Sequence, residues 1–236
     1  MTPLFRRAGF TFLALLFVVV THLPARAQDA TPGTQQDTCA AATKAVDITI
    51  NNPKGRVIYN TGVSRNDLVR LRQSRSRVVQ NSNWKPLGLT LSDFRFQINT
   101  SASLLPIAND QFCAYPNSFD ITIGYSGFKV YIDRRYGKGG CEHRAVLDHE
   151  NTHVSLYRSN LSRSLPDLKR AVYSAARGIV PVIVDTPNQG ARYMQEQMET
   201  KLEPLIARLS RGADVANARI DTVTSYKNVQ RRCRNW

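Results

Sequence analysis

Histidine is scarce in this chain. Only four occur in 236 residues, and one of them, His22, lies in the N-terminal segment. Cysteine is sparse as well. The four are Cys39, Cys113, Cys141 and Cys233, with no C-x-x-C spacing, which argues against thiolate metal sites. Acidic residues are heavily outnumbered, 18 against 32 Lys and Arg, for a net charge of +14. Beyond the N-terminal segment no apolar run is long enough to cross a bilayer. There are no internal repeats and no low-complexity block, so a repeat array is excluded.

What is present begins with an export signal. Arg6 and Arg7 precede an apolar run over residues 8–20, and Ala25-Arg26-Ala27 reads as a cleavage site. Residues 1–27 are therefore read as a signal peptide, with residues 28–45 as a flexible leader and 46–236 as a single domain. No cysteine follows the cut, which argues against a lipid anchor. The expected location is periplasmic or secreted, with no stable membrane insertion after signal cleavage.

An even cysteine count in an oxidising compartment predicts two disulfides. The favoured pairing is Cys113 with Cys141, closing a loop worth roughly 3–4 kcal/mol, and Cys39 with Cys233. The cleaved chain of about 209 residues still carries a charge of about +11. The basic residues are scattered, apart from small clusters over residues 70–77 and at Arg231-Arg232, and no nucleic-acid motif accompanies them. Nucleic acid is therefore not an expected partner. An exported basic protein meets anionic envelope material or acidic substrates instead, or else carries its charge for solubility alone.

The densest chemistry lies in His149-Glu150-Asn151-Thr152-His153, which reads H-E-x-x-H. On a helix, residues four apart share a face, so both imidazoles reach one metal ion. Glu150 projects about 100° away, beside a metal-bound water rather than on the metal. Val146, His149, His153, Tyr157 and Leu161 recur at helical spacing after the break at Gly139-Gly140. The histidine face is therefore also the inward face. Asp148 is either an acceptor that orients a ligand imidazole or a solvated helix carboxylate.

A catalytic zinc takes three protein ligands and keeps one position open. His143 lies six residues before His149, about 240° round the helix, and faces away. The third ligand is then a carboxylate. Asp221, embedded between Ile220 and Val223, ranks ahead of Glu199 and Glu196 on the long helix that follows. Tyr226 and Tyr157 are the candidate donors to a developing oxyanion.

The fold predicted is α+β, with an antiparallel, strand-rich N-terminal half followed by helices that carry H-E-x-x-H. Residues 46–50, 94–98, 119–123 and 128–132 alternate apolar and polar, and Gly124-Tyr125-Ser126-Gly127 reads as a hairpin turn between the last two. A short helix is expected over residues 67–73. The metal helix is placed at about 142–162, a second helix after Pro166, and a long one from about Gln189, with Pro204 as a kink or a new start.

The order of these features resembles an uncharacterised family of secreted bacterial proteins predicted to be zinc-dependent proteases. The similarity is most specific around residues 141–157 and 219–227. The family's tail reads D-x-x-T-x-H-G; this chain has Asp221, Thr224, Tyr226 and Lys227 there, so tyrosine stands where the family has histidine. The resemblance implies a zincin-like fold, Zn²⁺ and a protein or peptide substrate, without naming it. The catalytic roles then fall to Glu150 and Tyr226, and the metal to His149, His153 and Asp221. The rival reading is a non-catalytic envelope-binding or structural protein on the same scaffold. Hydrolysis of peptidoglycan cross-links is a further reading that the charge suits but nothing requires.

Overall fold

The computed structural model describes residues 39–41, 45–75 and 86–236. The predicted signal segment, most of the predicted leader and part of the 70–77 basic cluster lie outside the described residues. Five strands form one sheet: β1 (Asp47–Asn51), β2 (Lys54–Val63), β3 (Gly88–Pro106), β4 (Phe112–Asp133) and β5 (Val182–Val184). Among the described residues the longer helices are α1 (Arg65–Arg75), α2 (Cys141–Arg177), α3 (Pro187–Ala218) and α4 (Val223–Arg231).

Strand β4 is the axis of the sheet. Strand β3 pairs antiparallel along one edge of it, from Gly88↔Ile132 to Pro106↔Phe112. The other edge is shared by three strands. Ala114 pairs with Val182, Ile121 with Ile50, and Val130 with Tyr59. The break between β1 and β2 falls at Asn52-Pro53. There Tyr125 N donates to the Pro53 carbonyl at 2.9 Å, and the close approach leaves no room for a Cβ on Gly124.

This arrangement corrects the predicted fold class. Strands β1 and β2 run parallel to β4, so the sheet is not antiparallel. Strand β5 follows α2, so strands are not confined to the N-terminal half. Alternation reports which face a side chain takes but not which direction the neighbouring strand runs. The layering is α+β overall, with α2 and α3 covering one face of the sheet.

The predicted hairpin at 124–127 is also corrected, because β4 runs straight through it. Asp93 pairs with Gly127 and Phe94 with Tyr125, which leaves Ser126 as an unpaired bulge. Its hydroxyl donates to the Asp93 carboxylate at 2.5 Å. The extra residue shifts the buried set from Phe119, Ile121, Ile123 and Tyr125 to Phe128, Val130 and Ile132. The actual β3–β4 turn uses Asn109 and Asp110, both at positive φ, a conformation that short polar side chains tolerate.

The helices are longer than their prolines predict. Helix α2 passes through Pro166, and α3 through Pro204. An internal proline forfeits a backbone hydrogen bond, but Leu161, Leu168 and Val172 stay fully buried across the first, and Leu202 and Leu209 across the second. They pack with Met194 and Met198 against Phe119, Ile121 and Phe128 of the sheet. Helix α1 starts at Arg65, capped by Ser64, whose hydroxyl accepts from Asp67 N.

The disulfides pair differently from the sequence reading. Cys39 joins Cys113, and Cys141 joins Cys233. The favoured Cys113–Cys141 and Cys39–Cys233 pairs do not form, because Cys113 lies at the start of β4 and Cys141 follows its end, some twenty residues of extended strand away. Among the described residues, no helix is long and apolar enough to cross a membrane.

Candidate metal centre

Helix α2 begins at Cys141 and buries His149 and His153 one turn apart on the face toward α4. Their rings stand edge to face, 4.9 Å between centroids. The chain between α3 and α4 brings in Asp221, one residue ahead of Thr222, whose hydroxyl caps α4 by accepting from Ser225 N at 3.1 Å. Asp221 Oδ1 lies 3.3 Å from His149 Nε2 and 3.1 Å from His153 Nε2. Four residues beyond the cap, Tyr226 turns into the same site. Its hydroxyl donates to Asp221 Oδ1 at 3.2 Å, and its ring packs 4.7 Å from that of His149.

The structure thus brings together His149, His153, Asp221, Glu150 and Tyr226. It leaves the other candidates apart. Glu196, Glu199 and Glu203 line a separate groove of about 580 Å³ between α3 and β3, floored by Phe94, Phe96 and Ile98. His143 is buried outside the cluster. Tyr157 lines the site cavity but packs edge to face on Tyr125 and at a tilt against Phe128. Asp148 points outward and pairs with Arg232 at 2.7 Å.

Three contributors escaped the sequence reading. Thr90 on β3 donates to Glu150 Oε2 at 2.8 Å and lies 3.1 Å from the Glu150 carbonyl. Gly88, also on β3, approaches so closely that a Cβ there would sit 2.6 Å from Glu150 Oε1. Asn217 near the end of α3 accepts from His153 Nδ1 at 2.8 Å. Only Asn217 left a trace in the sequence, as a polar residue continuing the buried series Leu202, Leu209 and Ala213. Arg72 of α1 reaches the same cavity.

Electrostatics separate the two carboxylates. Glu150 is 1% exposed, and burial raises its pKa from 4.5 to about 7 despite both imidazoles and the Thr90 hydroxyl. Burial also works to raise Asp221, but the hydrogen bonds from His149 and His153 outweigh it and hold Asp221 well below the usual carboxylate range. For His153, burial opposes charge, yet Asp221 more than offsets it and the pKa is raised. Burial keeps the Tyr226 hydroxyl protonated far above its ordinary range, with Glu150 and Asp221 adding to the effect.

A divalent ion suits this donor set. One ligand atom each from His149, His153 and Asp221 lies within 4.8 Å of the others. Glu150 Oε1 is buried with no hydrogen-bond partner among the described residues, an arrangement that costs free energy unless a proton, water or cation meets it. The adjoining cavity is about 70 Å³, room for an ion and water, since about 10–15 Å³ holds one water. Compared with known protein families, curated proteins and solved structures, the chain matches none of them.

Proposed function

We propose that this protein is an exported zinc-dependent metallopeptidase. The observation that carries the reading is the meeting of His149 Nε2, His153 Nε2 and Asp221 Oδ1 beside the buried, half-partnered carboxylate of Glu150. The three would hold Zn²⁺, which when bound supplies Lewis acidity and lowers the pKa of water. Glu150 is the general base. Thr90 fixes its Oε2, leaving Oε1 to take a proton from the attacking water and return it to the leaving amine. Tyr226, held protonated, donates to the oxygen on which charge develops.

Two disulfides support an oxidising destination, and the basic charge favours acidic protein or peptide substrates at the cell envelope. The test is metal analysis together with peptide hydrolysis by the purified protein. Wild type should carry one zinc per chain, His149→Ala should lose it, and Glu150→Gln should keep it while turnover drops about 10²–10⁴-fold. A wild-type protein without zinc affinity, or a Glu150→Gln variant at full speed, ends this reading. In the first case a non-catalytic envelope protein takes its place.

A further inference from the structure

We propose that Asn217 is a positioning residue that fixes His153 in the one tautomer able to take a metal at Nε2. The purpose assigned to it rests on the metallopeptidase reading; the geometry does not. The Asn217 side chain is buried and doubly tied. Its Nδ2 donates to the Ala213 carbonyl at 2.8 Å, one turn back along α3. That bond decides which way the amide faces, so Oδ1 is the atom 2.8 Å from His153 Nδ1.

An amide oxygen only accepts, so Nδ1 must carry the proton. Nε2 is then the nitrogen left to give its lone pair to a cation; it faces Asp221 Oδ1 at 3.1 Å, a carboxylate that otherwise accepts a proton from it. The same contact sets the ring plane, because a ring gripped at Nδ1 aims Nε2 along a fixed line. An outer partner of this kind typically changes metal affinity 10–100-fold. Helix α3 thereby has a function at the site without supplying a ligand. Its last turn orients His153, and the chain leaving it delivers Asp221 four residues later.

The experiment uses the full chain, with Zn²⁺ alone as the probe and a chelator as competitor. Asn217→Leu keeps the volume and removes the acceptor; zinc binding should weaken about 10–100-fold. Asn217→Asp keeps an acceptor oxygen and loses the donor to Ala213, and should stay within about 3-fold of wild type. If that bond to Ala213 were the whole role of Asn217, the Asp variant would fail like the Leu variant, and the proposal falls.

Nitrogen-15 spectra of the metal-free Asp221→Ala protein, which lacks the carboxylate that draws a proton onto Nε2, give an independent readout at a pH that leaves the ring neutral. In that background Asn217 and Asn217→Asp should hold the proton on Nδ1, and Asn217→Leu should release it to the Nε2–H form. A ring protonated on Nε2 with Asn217 in place overturns the proposal, even if Asn217→Leu does not fold. A wild type that binds no zinc defeats the metallopeptidase reading, while the spectra still decide the role of Asn217.

Discussion

The two ends of the sheet are both pinned by a disulfide, yet they are built for different things. At one end Cys39–Cys113 sits in a small apolar cluster with Tyr115, Ile107 and Ile183. At the other, Cys141–Cys233 ties the first residue of α2 to the chain just beyond α4. All six buried polar or charged residues of the described chain fall toward this second end: Asp133, His143, His149, Glu150, His153 and Asn217. Burying such groups costs free energy unless each is paired. One end is therefore stabilised by simple exclusion of water, and the other spends stability on holding polar groups in place.

The contrast is sharpest in the disulfides themselves. Their sequence separations, 74 and 92 residues, predict nearly the same chain-entropy contribution, about 4–5 kcal/mol each. Replacing either pair by serine should lower the denaturation midpoint by similar amounts. Zinc affinity should separate them. Without Cys141–Cys233 the segment that carries Asp221 and Tyr226 is less firmly held on α2, and binding should weaken about 10-fold or more. Without Cys39–Cys113 it should stay within about 2-fold. Equal losses of affinity would erase the distinction between the ends.

A second, smaller effect tests the cost of polarity. In the metal-free protein Glu150 has its pKa raised from 4.5 to about 7 by burial. Below the unfolded carboxyl value both states hold the proton and there is no penalty. As pH rises from 4.5 through about 7, the unfolded chain releases the proton and the folded one resists, so stability falls across that window. Glu150→Gln removes this dependence. Metal-free Glu150→Gln should gain on wild type as pH rises, reaching on the order of 2–3 kcal/mol by pH 8. Thermal melts at pH 5 and pH 8 check this; a constant difference between the two proteins would contradict it.

The smallest effect compares two hydroxyls on β3. Thr90 faces Glu150, whereas Ser101, farther along the strand, bonds the Ser118 hydroxyl at 2.6 Å and accepts from Asn117 Nδ2 at 3.0 Å. Thr90→Val and Ser101→Ala should each cost about 1 kcal/mol of stability. Peptide hydrolysis should fall only for Thr90→Val, and in kcat rather than KM. Matching kinetics for the two variants would remove Thr90 from the machinery.

Legibility in the sequence followed the physics of each feature. The H-E-x-x-H face was readable because helical spacing is local, and Asp221 stood out as an acid set among apolar neighbours. The partners of those residues were not. Thr90 and Gly88 reach Glu150 through a strand some sixty residues away, and nothing in their local pattern marks it. Gly124-Tyr125-Ser126-Gly127 carried turn composition but hosts a bulge, because turns and bulges favour the same small residues. Pro166 read as the first turn of a new helix and Pro204 as a kink or a new start; both lie inside continuous helices, with buried leucines on either side of each. Strand direction and disulfide pairing depend on the order of strands around β4, which no local signal encodes.

That dependence on β4 has a kinetic side. Strand β3 can zip onto β4 as soon as the turn at Asn109-Asp110 closes, since the two are adjacent in the chain. Strands β1 and β2 have no such neighbour: Asp47 must wait for Ser118, and Lys54 for Tyr125. A chain emerging from its N-terminus therefore exposes two unpaired strands until the whole of β4 has appeared. Distant pairings of this sort slow the search for the native state and leave bare edges exposed to other molecules. The sheet assembles last where it begins first, and that interval is when the protein is most vulnerable to aggregation.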